Sequence, residues 1–184
     1  TSCFSVYYAN NLFVGVGSGT NTLAYSSNGL TWTGLGSTIF TGAPTAGSVT
    51  FSTSFNRWVA VSMNTNSIAY SSNGTQWVGL GTTIFSTQGT SVYYGNNLWV
   101  AVGSGTNSIA YSSNGTQWTG LGTTVLSGSG SVIFYANSLW LLYGLTNGQP
   151  DNVYTWYPFD NNYNDYYQNN YNHSLFNPLA TFVT

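Results

Sequence analysis

The apolar residues of this chain fall in short runs separated by turns of Asn, Gly, Ser and Thr. One run, LFVGVG at 12–17, returns as RWVAVS at 57–62, LWVAVG at 98–103 and LWLLYG at 139–144. These segments are close to continuously apolar instead of alternating, the pattern of strands covered on both faces. Each follows a strand-like SVYY-type segment (5–8 and 91–94 are the clearest) and a short turn, Asn-Asn or Ser-Phe-Asn where best defined. In the first three units a Gly/Thr/Asn turn comes next, then a third strand, TLAYS or SIAYS. Asn-Gly then marks a hairpin, expected as a type I′ turn because both central residues of that turn need positive φ. LTWTGL, TQWVGL or TQWTGL supplies a fourth strand. No stretch carries a convincing amphipathic-helix period.

The unit repeats at 5–40, 48–85 and 91–126, and a fourth copy opens at Ser131 and then diverges; starts lie about 40–43 residues apart. Four-stranded units with a doubly buried strand fit propeller blades, whose sheets pack face to face. The pattern predicts an all-β fold, a β-propeller-like array of four-stranded blades, over residues 1–147. The Tyr/Asn-rich segment 148–184 is expected to complete or cap the last repeat. Four units would form a small ring, an open array, or part of a larger ring closed by other chains or by residues beyond these 184. Phe176, Leu179, Phe182 and Val183 read as one more strand, closing the sheet or adding to a neighbouring chain.

Composition narrows the function. Only Arg57, Asp151, Asp160 and Asp165 are charged, 2% of the chain, against about 25% in ordinary soluble domains. One Arg cannot neutralise a phosphate backbone, so nucleic acid is excluded as a partner, and a polybasic membrane contact fails likewise. No run of about 18 apolar residues is present, so no membrane-inserted helix is expected. Cys3 is the single cysteine and has no internal disulfide partner. The chain begins at Thr1 without Met, and is expected to be a processed product or a piece of something longer, with any signal peptide removed. Sparse charge with 17% aromatics argues for a rigid β-protein and against disorder, placed at an extracellular, cell or virion surface.

The phrase Ser26-Ser27-Asn28-Gly29-Leu30-Thr31-Trp32, repeated at 71–77 and 112–118, resembles the Asp-box of sialidase-like and related β-propellers. That family pattern is Ser-x-Asp-x-Gly-x-Thr-Trp, between the third and fourth strands of a blade. Here Asn28, Asn73 and Asn114 stand in place of the Asp, and the turn is one residue shorter. The stretch LFVGVGSGTNTLAYSSNG also looks like propeller repeats encoded by giant viruses and found in tail or surface proteins. The resemblance implies a structural hairpin on the outer rim: Ser26, Ser71 and Ser112 bonding the turn, Gly29, Gly74 and Gly115 within it, and Trp32, Trp77 and Trp118 packing between blade sheets. It implies no catalysis.

The remaining candidates are thin. Sialidase chemistry needs an arginine cluster, and there is one Arg. Asp151, Asp160 and Asp165 could formally supply a two-carboxylate glycosidase, but they sit in a polar segment without an apolar pocket to raise a pKa. His173 reads as a surface residue of the tail. One His, one Cys and scattered Asp make no zinc set, and no EF-hand spacing occurs. The chain is therefore expected to be no enzyme and to hold no cofactor or metal. Asn73, Asn114 and Asn172 each head an N-glycosylation acceptor sequence. Trp58, Trp99 and Trp140 read as blade core, while Trp and Tyr faces with Asn, Ser and Thr donors also suit uncharged glycans. The expectation is a non-catalytic structural or adhesive surface protein, part of a fibre, filament or capsid decoration, whose partners are its own copies or neighbouring structural proteins. A glycan-binding, lectin-like propeller is the alternative, and a degenerate glycosidase the third.

Overall fold

The structure is a computed structural model that describes residues 2–146 and 149–156, with side chains as far as Gly144. Asp160, Asp165, Asn172, His173 and the strand expected near the C-terminus lie outside these residues. Every described element is a strand or a turn. β1 (Ser2–Ala9), β2 (Leu12–Ser18), β3 (Leu23–Ser26) and β4 (Thr33–Gly34) form the first sheet in chain order, each antiparallel to the next. β5 (Ser48–Ser52), β6 (Arg57–Val61), β7 (Ile68–Ser71) and β8 (Val78–Gly79) form the second. β9 (Gln88–Gly95), β10 (Leu98–Ser104), β11 (Ile109–Ser112) and β12 (Thr119–Gly120) form the third. The fourth is β13 (Ser129–Ala136), β14 (Leu139–Thr146) and β15 (Gln149–Trp156), three strands among the described residues. The first strands of successive sheets lie side by side, β1 to β5, β5 to β9 and β9 to β13. The result is an all-β, propeller-like array of blades that does not close among the described residues.

The structure corrects three sequence expectations. The type I′ signature sits between the first and second strands, not at Asn-Gly. Asn10 and Asn11 (φ 51° and 57°), Asn96 and Asn97 (48° and 58°), and Asn137 and Ser138 (51° and 63°) hold both central positions at positive φ. Asn is the non-glycine residue that tolerates this region best. In the Ser-Asn-Gly-Trp hairpins only the glycine is there, at 74°, 77° and 75° for Gly29, Gly74 and Gly115. Second, the fourth strands pair over two residues each, not six, as in Ala24 with Gly34 and Tyr25 with Thr33. Third, the fourth repeat is shifted by one residue. Val132 pairs with Tyr143 as Ser5, Ser48 and Ser91 pair with Val16, Val61 and Val102, so Val132, not Ser131, takes the serine's place; Ser131 falls in the bulge that also precedes Ser5 and Ser91.

Alternate residues of the second strands point to opposite faces. Val14 and Val16 leave the back of the first sheet and pack on Trp58 and Ala60 at the front of the second. Val59 and Val61 meet Trp99 and Ala101, and Val100 and Val102 meet Trp140 and Leu142. The near-continuous apolar run is thus two half-interfaces on one strand. The three indoles of Trp58, Trp99 and Trp140 are fully buried. Serines on the first strands stitch the stack: Val49 N donates to Ser5 Oγ (3.4 Å), Ser48 Oγ to Val92 O (3.4 Å), and Ile133 N to Ser91 Oγ (3.2 Å).

Candidate interaction surface

The Ser-Asn-Gly-Trp hairpins are closed by their own side chains. Ser26 Oγ accepts from Asn28 N (3.3 Å) and Gly29 N (2.9 Å), and donates to Asn28 Oδ1 (3.2 Å). Asn28 Oδ1 also accepts from Leu30 N and Thr31 N, both at 2.9 Å, and Trp32 Nε1 donates to Gly29 O (3.1 Å). The same set recurs with Ser71, Asn73, Gly74 and Trp77 and with Ser112, Asn114, Gly115 and Trp118. A short polar side chain that bonds backbone N–H groups two and three residues on is an Asx turn, which an amide oxygen makes as a carboxylate would. The Ser hydroxyls, the Asn amide oxygens and the Trp indole N–H groups are therefore occupied in holding the turn.

Each inner hairpin also seats on the preceding blade. A Cβ at Gly74 would lie 2.6 Å from Leu12 and 3.1 Å from Val14 of the first sheet, so only glycine permits the approach. Trp77 and Trp118 are half-buried and pack in the junctions between first and second and between second and third sheets. Trp32 departs from the expectation of packing between sheets: no described sheet lies in front of it, and it is 40% exposed. Asn73 is exposed and Asn114 half-buried; Asn172, the third glycosylation candidate, lies outside the described residues.

A second clasp was not read from the sequence. Asn66 Oδ1 accepts from Gly81 N (2.8 Å) while its Nδ2 donates to Ile39 O (2.6 Å) of the linker from the first blade. Asn107 does the same with Gly122 N (2.7 Å) and Ile84 O (2.6 Å). The residue after each linker carbonyl, Phe40 or Phe85, is fully buried in the junction. Leu126 takes this place between the third and fourth sheets. The recurring Thr-Asn-Ser/Thr triplet (20–22, 65–67, 106–108) was the available signal.

At the front of the first sheet the clasp is half made. Asn21 Oδ1 accepts from Gly36 N (2.8 Å), but its Nδ2 has no partner among the described residues. Asn21, Trp32, Val6, Gly17 and Cys3 line a groove of about 420 Å³. Beside it Tyr8 stacks on Phe13 (centroids 4.4 Å apart), and Phe13 faces Trp32 (6.3 Å). Val6 and Tyr8 are 48% and 54% exposed, and Leu30 at the rim 88%. The back of the fourth sheet is partly open among the described residues, with Leu141 on it 8% exposed. There Val132 and Phe134, paired across the ladder with Tyr143 and Leu141, are 47% and 43% exposed.

Among the described side chains, which end at Gly144, neither face holds a charge. Arg57, the one cation of the chain, is engaged inside the stack: Nη1 donates to Asn114 O in the next hairpin, and its guanidinium lies 5.6 Å from the centre of the Tyr70 ring. Among the described residues no three His, Cys, Asp or Glu side chains come together. Cys3 is a free, exposed thiol.

No protein-family model and no curated protein matches the chain. Solved structures of β-propeller-like proteins do. The computationally designed Ika4 protein superposes with a TM-score of 0.57 at 15% identity, over 85% of this chain and 91% of its own. YCF48 from Cyanidioschyzon merolae gives 0.58 at 15% identity, over 85% of this chain and 53% of its own; YCF48 has also been solved bound to a D1 peptide. The GH74 enzyme of Niastella koreensis gives 0.54 at 22% identity, over 85% of this chain and 23% of its own. The chain thus spans about half the length of YCF48. At these identities the likeness is one of fold.

Proposed function

We propose that this chain is a non-catalytic structural or adhesive repeat protein of an extracellular or virion surface, working as part of a larger assembly. The observation that carries the reading is the uncovered, charge-free face of the first blade, where Val6, Tyr8, Phe13 and Trp32 form a continuous apolar surface. Exposed apolar patches of this kind mark interaction sites, and the scarcity of charge leaves little repulsion to oppose close packing. The Ser-Asn-Gly-Trp hairpins are, in this reading, neutral versions of the Asp-box that lock blades together. The likeness to a GH74 enzyme brings no residues with it, since positions 2–144 contain no Asp, Glu or His. A panel of glycosides and polysaccharides incubated with the full chain is expected to show no turnover. Hydrolysis that Asp160→Ala or Asp165→Ala abolishes would overturn the reading.

One observation favours glycan binding as a second reading: the exposed Trp32 ring borders a groove that also holds Asn21, Ser18 and Thr22. An aromatic face beside uncharged donors and acceptors suits a neutral sugar. Tryptophan fluorescence titrated with oligosaccharides tests it, with Trp32→Ala as the control that should lose the response.

A further inference from the structure

Each inner junction joins the back of one sheet to the front of the next, and two halves of that junction are left over. They are the front of the first sheet and the back of the fourth. We propose that a second copy of this chain fills them head to tail: the back of its fourth sheet seats on the front of the first sheet. The inference rests on the reading of the chain as an assembly protein and names the partner.

Among the described residues the first and fourth sheets do not cover each other: Val6 and Phe134 are both exposed. The positions equivalent to Val6 show what its face is built for: Val49, Val92 and Ile133 are 3%, 2% and 2% exposed beneath the preceding blade. The two open faces also trade volume. At the front of the first sheet Phe13 replaces the Trp of the other three blades, and Gly15 replaces Ala60 and Ala101. At the back of the fourth, Leu141 replaces Val14, Val59 and Val100, Tyr143 replaces Val16, Val61 and Val102, and Val132 replaces a serine. A smaller front thus faces a larger back, the exchange that keeps a packed interface filled. The junction of the third and fourth sheets sets the precedent. Leu142 there is larger than Ala60 or Ala101, and Leu126 is smaller than Phe40 or Phe85. Asn21 Nδ2 and the groove beside it repeat the site that takes a linker carbonyl and a buried side chain in the second and third blades. A contact between two different patches is heterologous, and it propagates until a ring closes or a filament grows.

The test uses the full chain in sedimentation velocity and light scattering. Wild type is expected above monomer mass at micromolar concentration. Val6→Asp and Phe134→Asp, both at exposed positions, should each weaken assembly by about a hundredfold or more, because a carboxylate would be buried unpaired. Mixing the two variants should restore a two-chain species, since one keeps an intact back and the other an intact front. The Cys3 thiol, which lines the groove, should react more slowly with Ellman's reagent as wild-type concentration rises; this arm decides the matter if either variant fails to fold. A monomeric wild type with a concentration-independent Cys3 rate overturns the proposal. So does assembly that neither variant disturbs, or that only one disturbs, which would mean a patch pairing with itself. A monomer without glycosidase activity sinks this contact and leaves the broader reading standing, whereas glycoside turnover sinks that reading whatever the mass.

Discussion

The fronts of the first and third blades are written in nearly the same words and meet different surroundings. SVYY occurs in both, yet Val6 is 48% exposed and Val92 is 2% exposed. Trp32 stands open and Trp118 is half-buried. Asn21 makes one bond where Asn107 makes two. Burial in this molecule follows from the place of a blade in the stack and not from its local sequence. The energetic weight of a residue should therefore be set by what lies in front of its sheet.

Paired substitutions can break that comparison. The largest contrast is expected for Val92→Asp against Val6→Asp. The first buries an unpaired carboxylate and should cost more than about 4 kcal/mol, or abolish folding. The second, measured on dilute monomer, should stay within about 0.5 kcal/mol of wild type. Urea unfolding followed by circular dichroism reads both. Next is Trp99→Ala, which empties a fully buried site and should cost about 3–5 kcal/mol; Phe13→Ala at the open end should cost less than half of that. Asn107→Ala strands two backbone groups in a junction and should cost about 1–3 kcal/mol, with Asn21→Ala at the lower end of that range or below it. The smallest effect is Leu30→Thr, which installs the residue of the other two hairpins at a position 88% exposed. Its stability should move by less than about 0.5 kcal/mol, while retention on a hydrophobic column should fall. Equal costs at the two ends of any pair would mean that the first blade is covered in solution.

Much of the architecture could be read from the chain. The repeat, the strands and the doubly covered second strand all follow from apolar residues recurring at fixed spacing. The turn assignments did not, because Asn-Gly is a hairpin signal only when nothing competes for the backbone. Here Ser26 Oγ and Asn28 Oδ1 capture the amides that a tight ladder would use. That capture also shortens β4 to two residues. The shift at Val132 was hidden because Ser131-Val132 copies the spelling of Ser5-Val6; the signal available was spacing, since Trp140 lies nine residues after Ser131 and Trp99 eight after Ser91. The open faces were the least legible. Nothing in the strand itself separates Val6 from Val92, both in SVYY, and the stacking order exposes one and covers the other.

Arg57 has a consequence for handling the molecule. Within these 184 residues it is the only Lys or Arg, so trypsin has a single bond to cut, Arg57–Trp58. That bond begins β6, where Arg57 is laddered to Ser52 and its side chain reaches the third blade's hairpin. Cleavage there requires the β5–β6 hairpin to open and the Arg57 side chain to leave the third blade's hairpin. A chain with one scissile bond, clamped at a blade junction, is its own gauge of opening: the rate of appearance of two fragments reports how often the second blade's first hairpin comes undone.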